Sequence, residues 1–323
     1  MSVDTAMDKT KTEENKTEEA LCNVSVLEDE NGEQFKIATF EEMVMPIQII
    51  QMGLETRLSY VKDFPYQDGD VLFGSYMKTG THWTSNLLHC LMYDGPLEGL
   101  TSFAPCLLDV FNYQEWPQKR VGNRIMASHL PPERLPTEHF QKGGKTIVVF
   151  RNPKDTAVSM FHQMRKFKQL GEMKLSWNSY INYWIEGKIA FVPSSSFFDY
   201  YNSWQKQIEE KPEQNVLVVQ YEDLKRDSLN QLRRIQNYLG LNHSDDRLQA
   251  VLDKCSFSNL KAEVESGKVK TPLIDEEGKS ILYRKGIIGD WKNHFTVAQN
   301  EKIETVAEEK FKNSMFNYKA WDC

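Results

Sequence analysis

Short apolar runs that end in polar turns alternate with amphipathic stretches along most of the chain. The run at residues 146–150, TIVVF, is almost wholly apolar, as expected of a strand buried on both faces of a parallel sheet. Similar runs occupy residues 71–74, 124–128 and 216–220. After the first of them, apolar side chains recur at helical spacing from Trp83 onward. Strands that alternate with helices predict an α/β fold with a central, mainly parallel sheet flanked by helices.

Capping residues indicate where two of the predicted helices begin or end. Gly240 is typical of a C-cap after a helix over residues 228–239. Asn152 and Asp155 can cap the start of a helix that begins near Thr156.

Charge divides the 323-residue chain into two parts. Residues 1–33 contain ten acidic residues, three lysines and few apolar positions, so we expect a disordered acidic tail. The remainder has 36 acidic and 36 basic residues, with no repeat or interdomain linker, and we expect one domain over 34–323. A neutral domain without a basic stripe argues against nucleic-acid binding, so any anion site must be local.

Composition also narrows the class of protein. The chain has no run of about 18 apolar residues, as a membrane helix requires, and its N-terminus lacks the apolar segment of a signal peptide. Its five cysteines are odd in number, scattered and without CxxC spacing. We therefore expect a cytoplasmic protein with free thiols and without a disulfide framework, a zinc site or a membrane partner.

The turn after the first strand carries the first chemical signal. It reads Tyr76-Met77-Lys78-Thr79-Gly80-Thr81-His82-Trp83, between a strand and a helix. The first N–H groups of a helix lack intrahelical partners and its dipole favours negative charge, so this P-loop-like arrangement predicts an anion site. Gly80 allows close approach of the backbone, Lys78 adds a positive charge, and Thr79 and Thr81 add hydroxyl donors. An ordinary turn with a solvated lysine is the alternative.

Four chemically capable residues each follow a predicted strand: Lys78, His129, Arg151 and Tyr221. Ligands of open parallel sheets bind at the carboxyl ends of the strands, so we expect these side chains to converge on one crevice. A neutral imidazole at His129 can accept a hydroxyl proton.

Two further stretches offer cations to an anion. Arg151 can present its planar fork to a phosphate, with Ser159 about two helical turns further on. Near the C-terminus, Arg284-Lys285-Gly286 places two cations beside a glycine. Solvated side chains are the alternative in both cases.

The three stretches, in this order, resemble those of the cytosolic sulfotransferase family. Residues 76–83 resemble its 5′-phosphosulfate loop, residues 151–159 (RNPKDTAVS) its 3′-phosphate segment, and residues 284–293 (RKGIIGDWKN) its C-terminal nucleotide signature. The resemblance extends from about residue 35 to the C-terminus.

The resemblance implies a transferase that uses 3′-phosphoadenosine 5′-phosphosulfate (PAPS) as donor, releases PAP and requires no metal. His129 is then the catalytic base, Lys78 neutralises charge on the leaving phosphate, and Ser159 holds Lys78 aside. The implied nucleotide-binding residues are Lys78, Thr79, Gly80, Thr81, His82, Trp83, Arg151, Ser159, Tyr221, Cys255, Ser256, Phe257, Arg284, Lys285 and Gly286.

Some positions depart from the family pattern. Met77 replaces the usual proline, Thr79 a common serine and His82 the usual threonine or asparagine. Before His129, Ala127-Ser128 replaces the frequent Lys-Thr pair, which removes an auxiliary cation. We expect altered or reduced activity, because Lys78, His129 and Ser159 all remain.

Partners follow from two other segments. Residues 292–301 resemble the family's KxxxTVxxxE dimer motif, which predicts a homodimer through Lys292, Thr296, Val297 and Glu301, with a helix that begins near Val297. The loop at 103–116, Phe161, Met164, Phe167 and the segment at 191–201 are expected to line an apolar pocket. Such a pocket suits a small lipophilic acceptor with a hydroxyl or amine, in small-molecule metabolism.

Two other functions compete with this interpretation. A P-loop kinase or NTPase is disfavoured because GxxxxGK[ST] is absent from the sequence and Lys78 precedes Gly80. A non-catalytic nucleotide- or lipophile-binding protein is conceivable because of His82 and Ala127.

Overall fold

The computed structural model describes residues 22–51, 53–93, 95–97, 106–109, 124–167, 172–194, 196–269, 271, 273–275 and 277–316. Most of the predicted acidic tail, residues 1–21, lies outside the described residues.

The first elements among the described residues form a three-stranded antiparallel sheet in the order β1-β2-β3. Its strands are β1 (Asn23–Glu28), β2 (Gln34–Phe40) and β3 (Met43–Pro46). The prediction of disorder is therefore wrong for residues 22–33. Backbone pairing along the whole length of β1 orders this segment, and the Asp29 carboxylate accepts backbone N–H bonds from Asn31, Glu33 and Ser176. Composition alone does not reveal such a partner strand.

The main sheet has five parallel strands and confirms the predicted α/β fold. Its order is β5-β6-β4-β7-β8, with β4 in the centre. The strands are β4 (Val71–Ser75), β5 (Cys106–Leu107), β6 (Ile125–Ser128), β7 (Lys145–Phe150) and β8 (Val216–Gln220). Four of the five follow the predicted apolar runs, whereas the two-residue edge strand β5 has no periodicity by which to predict it.

Helices cover both faces of this sheet. They are α1 (Ile47–Ile50), α2 (Leu54–Lys62), α3 (Thr81–Met92), α4 (Thr137–Gln141), α5 (Pro153–Met164), α6 (Trp177–Ile185), α7 (Phe197–Glu210), α8 (Tyr221–Arg226), α9 (Ser228–Leu239), α10 (Asp245–Lys254), α11 (Phe257–Glu265) and α12 (Val297–Lys310). Short 3₁₀ turns occupy Pro132–Arg134, Pro212–Gln214 and Asp290–Asn293. No helix in these described ranges is both long and apolar enough to cross a bilayer.

The helix α9 ends at Gly240 as predicted, whereas the start of α5 differs from the prediction. Gly240 has φ 75° at the end of α9, the left-handed conformation that glycine adopts readily. α5 begins at Pro153, three residues before the predicted start, and the Asn152 side chain accepts the N–H groups of the next turn. Asp155 does not cap this helix, because its carboxylate binds a different segment.

The sheet separates two hydrophobic cores. Alternate side chains of β4 enter each of them, Leu72 on one side and Phe73 on the other. An aromatic cluster on α6 and α7 packs against Phe150, with the ring centroids of Phe150 and Tyr201 4.8 Å apart. These cores fix the positions of the loops at the carboxyl ends of the strands.

Candidate functional site

A cavity of about 850 Å³ opens at the carboxyl ends of the parallel strands. Lys78, His129, Arg151 and Tyr221 all line it, so the predicted convergence of four strand ends is confirmed. The cavity is also lined by Gly80, Thr81, His82, Trp83, Ser159, Cys255, Ser256, Phe257, Arg284, Lys285 and Gly286. Thr79 is the one predicted nucleotide-binding residue that does not line it.

One hydroxyl group of the anion turn braces its backbone. Thr79 is fully buried and its Oγ1 donates to the backbone oxygen of Tyr76 at 2.6 Å. Thr81 Oγ1 lies 2.9 Å from Ser75 Oγ. The Thr79 hydroxyl is thus engaged within the turn, whereas Thr81 lines the cavity and either oxygen of its pair with Ser75 can be the donor. Lys78, next to Thr79, has a left-handed backbone conformation with φ 69°. The predicted anion cradle consists mainly of backbone and lysine.

Gly80 is packed against an aromatic side chain of another strand end. It has φ 104°, and a Cβ atom there would lie 2.7 Å from Tyr221 Cδ2. The Arg151 guanidinium lies over the ring of Tyr221, with Cζ 4.6 Å from the ring centroid. Trp83 meets the same ring edge-on at 5.5 Å, and its Nε1 donates to the Cys255 carbonyl at 3.0 Å. This wall can hold a flat ring system.

Two arginines in the cavity wall have spare donors. Arg151 uses Nη1 to donate to the Lys78 carbonyl at 2.9 Å and Nη2 to donate to the Ile287 carbonyl at 3.4 Å. Its Nε and that of Arg284 are buried, and neither has a hydrogen-bond partner among the described residues. A buried donor without an acceptor is costly, so both positions favour an anion.

Asp290 holds the two C-terminal cations together. Arg284 Nη2 and Lys285 Nζ donate to its two carboxylate oxygens at 2.6 and 2.7 Å. Burial alone would raise the pKa of this carboxyl, but hydrogen bonds from Lys285, Arg284 and Asn293 hold it well below its ordinary value. The cations are thus oriented before any ligand binds.

Lys78 contacts a residue that the sequence did not predict. Its Nζ donates to Oε1 of Gln163, which lies one turn beyond Ser159 on α5. In this structure the hydrogen-bond partner of Lys78 is Gln163, and the role of Ser159 toward this lysine stays a prediction for the nucleotide-loaded site. Burial, together with the nearby charges of Arg151 and Arg284, lowers the pKa of Lys78 to about 7.

His129 is buried and held in one tautomer. Its Nδ1 lies 2.7 Å from the Ser75 carbonyl, which can only accept, so Nδ1 carries the proton and Nε2 the lone pair. Its backbone N–H donates to Asp109 Oδ1 at 3.1 Å. Burial, the largest cause, together with the electrostatic influence of Lys78, lowers the pKa of the neighbouring His82 to about 3, so His82 is neutral at physiological pH.

The far end of the cavity is only partly apolar. Phe167 and Phe191 line it as predicted, whereas Phe161 and Met164 are buried in the core. Most of the loop at 103–116 lies outside the described residues. Polar side chains that the sequence did not suggest also line the wall, namely Arg57, Asp109, Gln163 and Lys166.

The segment with the predicted dimer motif forms the start of α12. Thr296 is the N-cap and exchanges hydrogen bonds with Gln299 in a capping box. Val297 is 76% exposed, an unusual state for a valine.

Two buried carboxylates bind backbone N–H groups of segments that border the cavity. Asp155 accepts the backbone N–H groups of Gly289 and Trp291. Glu222 accepts the N–H of Asn152 at 2.9 Å, and burial raises its pKa to about 7. Asp155 lies in the predicted 3′-phosphate segment, and Glu222 follows Tyr221. Their N–H partners could not be predicted, because tertiary packing decides which backbone segment lies beside each carboxylate. No group of three or more metal-binding side chains occurs among the described residues.

Comparison with known proteins gives consistent matches. Residues 68–315 match the family described as "Sulfotransferase domain". The chain is 31% identical to human sulfotransferase 2A1 over 283 residues, which cover 84% of this chain and 93% of that protein. It is 28% identical to rabbit (Oryctolagus cuniculus) amine sulfotransferase, over 89% of this chain and 93% of that protein.

Solved structures agree with these matches. Mouse sulfotransferase SULT7A1 complexed with PAP has a TM-score of 0.71 at 28% identity, covering 86% of this chain and 95% of that chain. Retinol dehydratase in complex with androsterone and PAP has a TM-score of 0.67 at 16% identity, covering 95% of this chain and 96% of that one. At this identity the match shows similarity of fold alone.

Proposed function

The chain belongs to the sulfotransferase family, and on that basis we propose that it transfers the sulfuryl group of PAPS to a hydroxyl of a small lipophilic acceptor. The observation that carries the proposal is the convergence of Lys78, His129, Arg151 and Arg284 on one cavity. These residues are far apart in the sequence and supply a base and three cations to one space.

The cavity suits a nucleotide that carries two separate anionic groups. Arg151 and Arg284 have buried Nε atoms without partners, and Asp290 orients Arg284 and Lys285. We assign the 3′-phosphate to Arg151, Ser159, Arg284, Lys285 and Gly286. We assign the 5′-phosphosulfate to the turn from Lys78 to Trp83. Its Thr79 acts by bracing the turn.

The aromatic wall suits the adenine. Trp83 and Tyr221 present ring faces and edges to the cavity, and Phe257 packs against Gly286, where a Cβ would lie 2.5 Å from Phe257 Cδ2. Cys255 and Ser256 complete this side.

The chain's own residues divide the chemistry between a base and a cation. PAPS, when bound, supplies the sulfuryl group and a phosphate leaving group. His129 accepts the proton of the acceptor hydroxyl on Nε2, because Nδ1 is committed to the Ser75 carbonyl. Lys78, once its Nζ leaves Gln163, places a positive charge beside the departing phosphate. Ser159, on α5 one turn before Gln163, lines the same cavity and is proposed to bind Lys78 when the nucleotide is present.

We also propose a homodimer and a cytoplasmic location. Exposed Val297 beside the capped start of α12 supports a small interface that includes Lys292, Thr296 and Glu301. The buried thiols of Cys90 and Cys255 are free, with a hydrogen bond of 3.6 Å between their sulfurs and no disulfide, as suits a reducing compartment.

The test is label transfer from radioactive PAPS, in parallel with radioactive ATP and magnesium, to a panel of phenols, hydroxysteroids and aryl amines. We expect sulfated product from PAPS and none from ATP. Product from ATP alone would favour a kinase. Tight PAP binding without transfer to any acceptor would favour a non-catalytic binding protein.

A further inference from the structure

One carboxylate oxygen in the wall of the cavity lacks a hydrogen-bond donor. Asp109 follows β5 and is 4% exposed. Its Oδ1 accepts the backbone N–H of His129, but no described group donates to its buried Oδ2. A buried acceptor without a donor costs about 1–3 kcal/mol, so this atom is expected to have a partner in the working protein.

Among the described residues, no side chain donates to this oxygen. Arg57 directs Nη1 to the backbone carbonyl of Asp109, at 3.4 Å. Lys78 donates to Gln163. Phe167 and Phe191, which also line the cavity, carry no hydrogen-bond donor on their side chains. Since Asp109 lines the cavity, the molecule that occupies it is the candidate donor for this oxygen.

We propose that the acceptor carries a second hydrogen-bond donor besides the hydroxyl that reacts, and that Asp109 Oδ2 binds it. This inference rests on the proposed function, since it places the acceptor beside His129. One oxygen of the carboxylate holds the backbone of the base and the other holds the acceptor. Asp109 thus fixes the acceptor relative to the base, which a purely apolar pocket cannot do for a small phenol. An ammonium group and a second hydroxyl share the required chemistry.

Three phenols of one shape test this proposal. 4-Ethylphenol offers only the reacting hydroxyl, 4-ethylcatechol adds a hydroxyl, and tyramine adds an ammonium group. The rate constant kcat/KM with saturating PAPS is measured for each in the wild type, in Asp109→Asn and in Asp199→Asn, an exposed control on α7. The asparagine keeps an acceptor for His129 but replaces the other oxygen with a donor. Ratios between phenols within one variant cancel any general effect on His129.

We expect at least one donor-bearing phenol to exceed 4-ethylphenol by roughly tenfold or more in the wild type and in the control. In Asp109→Asn this ratio should fall to about one. A higher kcat/KM for tyramine identifies the donor as an ammonium group, and a higher kcat/KM for 4-ethylcatechol identifies it as a hydroxyl. Equal ratios in wild type and Asp109→Asn would overturn the proposal.

Calorimetric binding of the same phenols to the PAP-loaded wild-type protein separates this proposal from the proposed function. If PAP binds but the donor-bearing phenols bind no better than 4-ethylphenol, the role of Asp109 is overturned and the nucleotide site stands. If PAP itself does not bind, the proposed function fails as well.

Discussion

The Asp155 carboxylate, at the start of α5, accepts the backbone N–H of Gly289 at 2.7 Å, 134 residues away in the chain. Its other oxygen accepts the N–H of Trp291 at 3.0 Å. Through this side chain, the segment that carries Arg151 is tied to the loop that carries Arg284 and Lys285, and Arg151 adds a second link through the Ile287 carbonyl. Two parts of the proposed 3′-phosphate site are therefore joined by hydrogen bonds.

Loss of this connection should weaken both stability and nucleotide binding. In Asp155→Ala two buried N–H groups lose their acceptor, at a cost of about 1–3 kcal/mol each. We expect a lower midpoint of urea unfolding and weaker PAP binding by calorimetry. Asp155→Asn retains one acceptor oxygen and should lie between alanine and wild type. Wild-type PAP affinity in a stably folded Asp155→Ala protein would contradict the proposed link.

The packing of Gly80 against Tyr221 should matter for the nucleotide more than for the fold. In Gly80→Ala the new methyl group meets Tyr221 Cδ2, and displacement of that ring disturbs the stacked Arg151. We expect PAP affinity to fall by at least about tenfold.

Gly143→Ala is the matched control for this change. Gly143 has φ 71° with open space around it, so alanine there has the left-handed strain, about 1 kcal/mol, without the clash. The two variants should lose comparable stability from strain, but only Gly80→Ala should lose PAP affinity. Equal affinities in the two variants would show that Tyr221 does not position the nucleotide.

The raised pKa of Glu222 predicts a pH-dependent stability. Its carboxyl has a pKa of about 7 in the fold and an ordinary value of 4.5. The folded state thus holds this proton more tightly, and its contribution to the free energy of unfolding falls as pH rises from 4.5 to 7. By linkage, Glu222 contributes ~3 kcal/mol more to the free energy of unfolding well below pH 4.5 than well above pH 7.

Glu222→Gln keeps an acceptor for the Asn152 N–H and removes the titration. In urea titrations we measure the free energy of unfolding of the variant minus that of wild type. We expect this difference to increase from pH 5 to pH 8, because only wild type loses the contribution of the titrating carboxyl. Parallel pH profiles for the two proteins would mean that Glu222 does not titrate in this range.

The lowered pKa of Lys78 predicts that PAP binding takes up a proton. Since the pKa is about 7 in the free protein, the amine is largely neutral at pH 8, whereas a bound phosphate favours its charged form. We expect affinity for PAP to fall as pH rises from 7 to 9. Calorimetry in two buffers of different ionisation enthalpy should then show proton uptake at pH 8.

Two substitutions of this lysine separate its titration from its charge. Lys78→Arg retains a permanent charge and should bind PAP with little proton uptake from this position. Lys78→Met should bind weakly and also without that uptake. Undiminished uptake in both variants would assign the proton to another group.

The parts of the molecule that local pattern controls were predictable. The four longer strands of the main sheet, the helix that ends at Gly240 and the shared crevice all followed from runs of apolar residues and from the residues after them. The N-terminal sheet was missed because β1 has only one buried side chain and depends on backbone pairing with β2.

Side-chain partners were less predictable than positions. Thr79 braces the turn, Thr81 pairs with Ser75, Gln163 binds Lys78, and Asp290 orients the two C-terminal cations. Each contact joins a donor and an acceptor whose distance is set by packing, and several groups in the sequence could have filled each role.

The most direct test of the account measures sulfuryl transfer from radioactive PAPS by wild type, His129→Ala, Lys78→Met and Lys206→Ala, an exposed control on α7. We expect kcat to fall by about 10²–10⁴ in His129→Ala, through loss of the base, while its PAP affinity stays that of wild type. Lys78→Met should lose about 10²–10³ in kcat, and Lys206→Ala should match wild type. Transfer at the wild-type rate in His129→Ala would contradict the assignment of the base and with it the proposed geometry of the reaction.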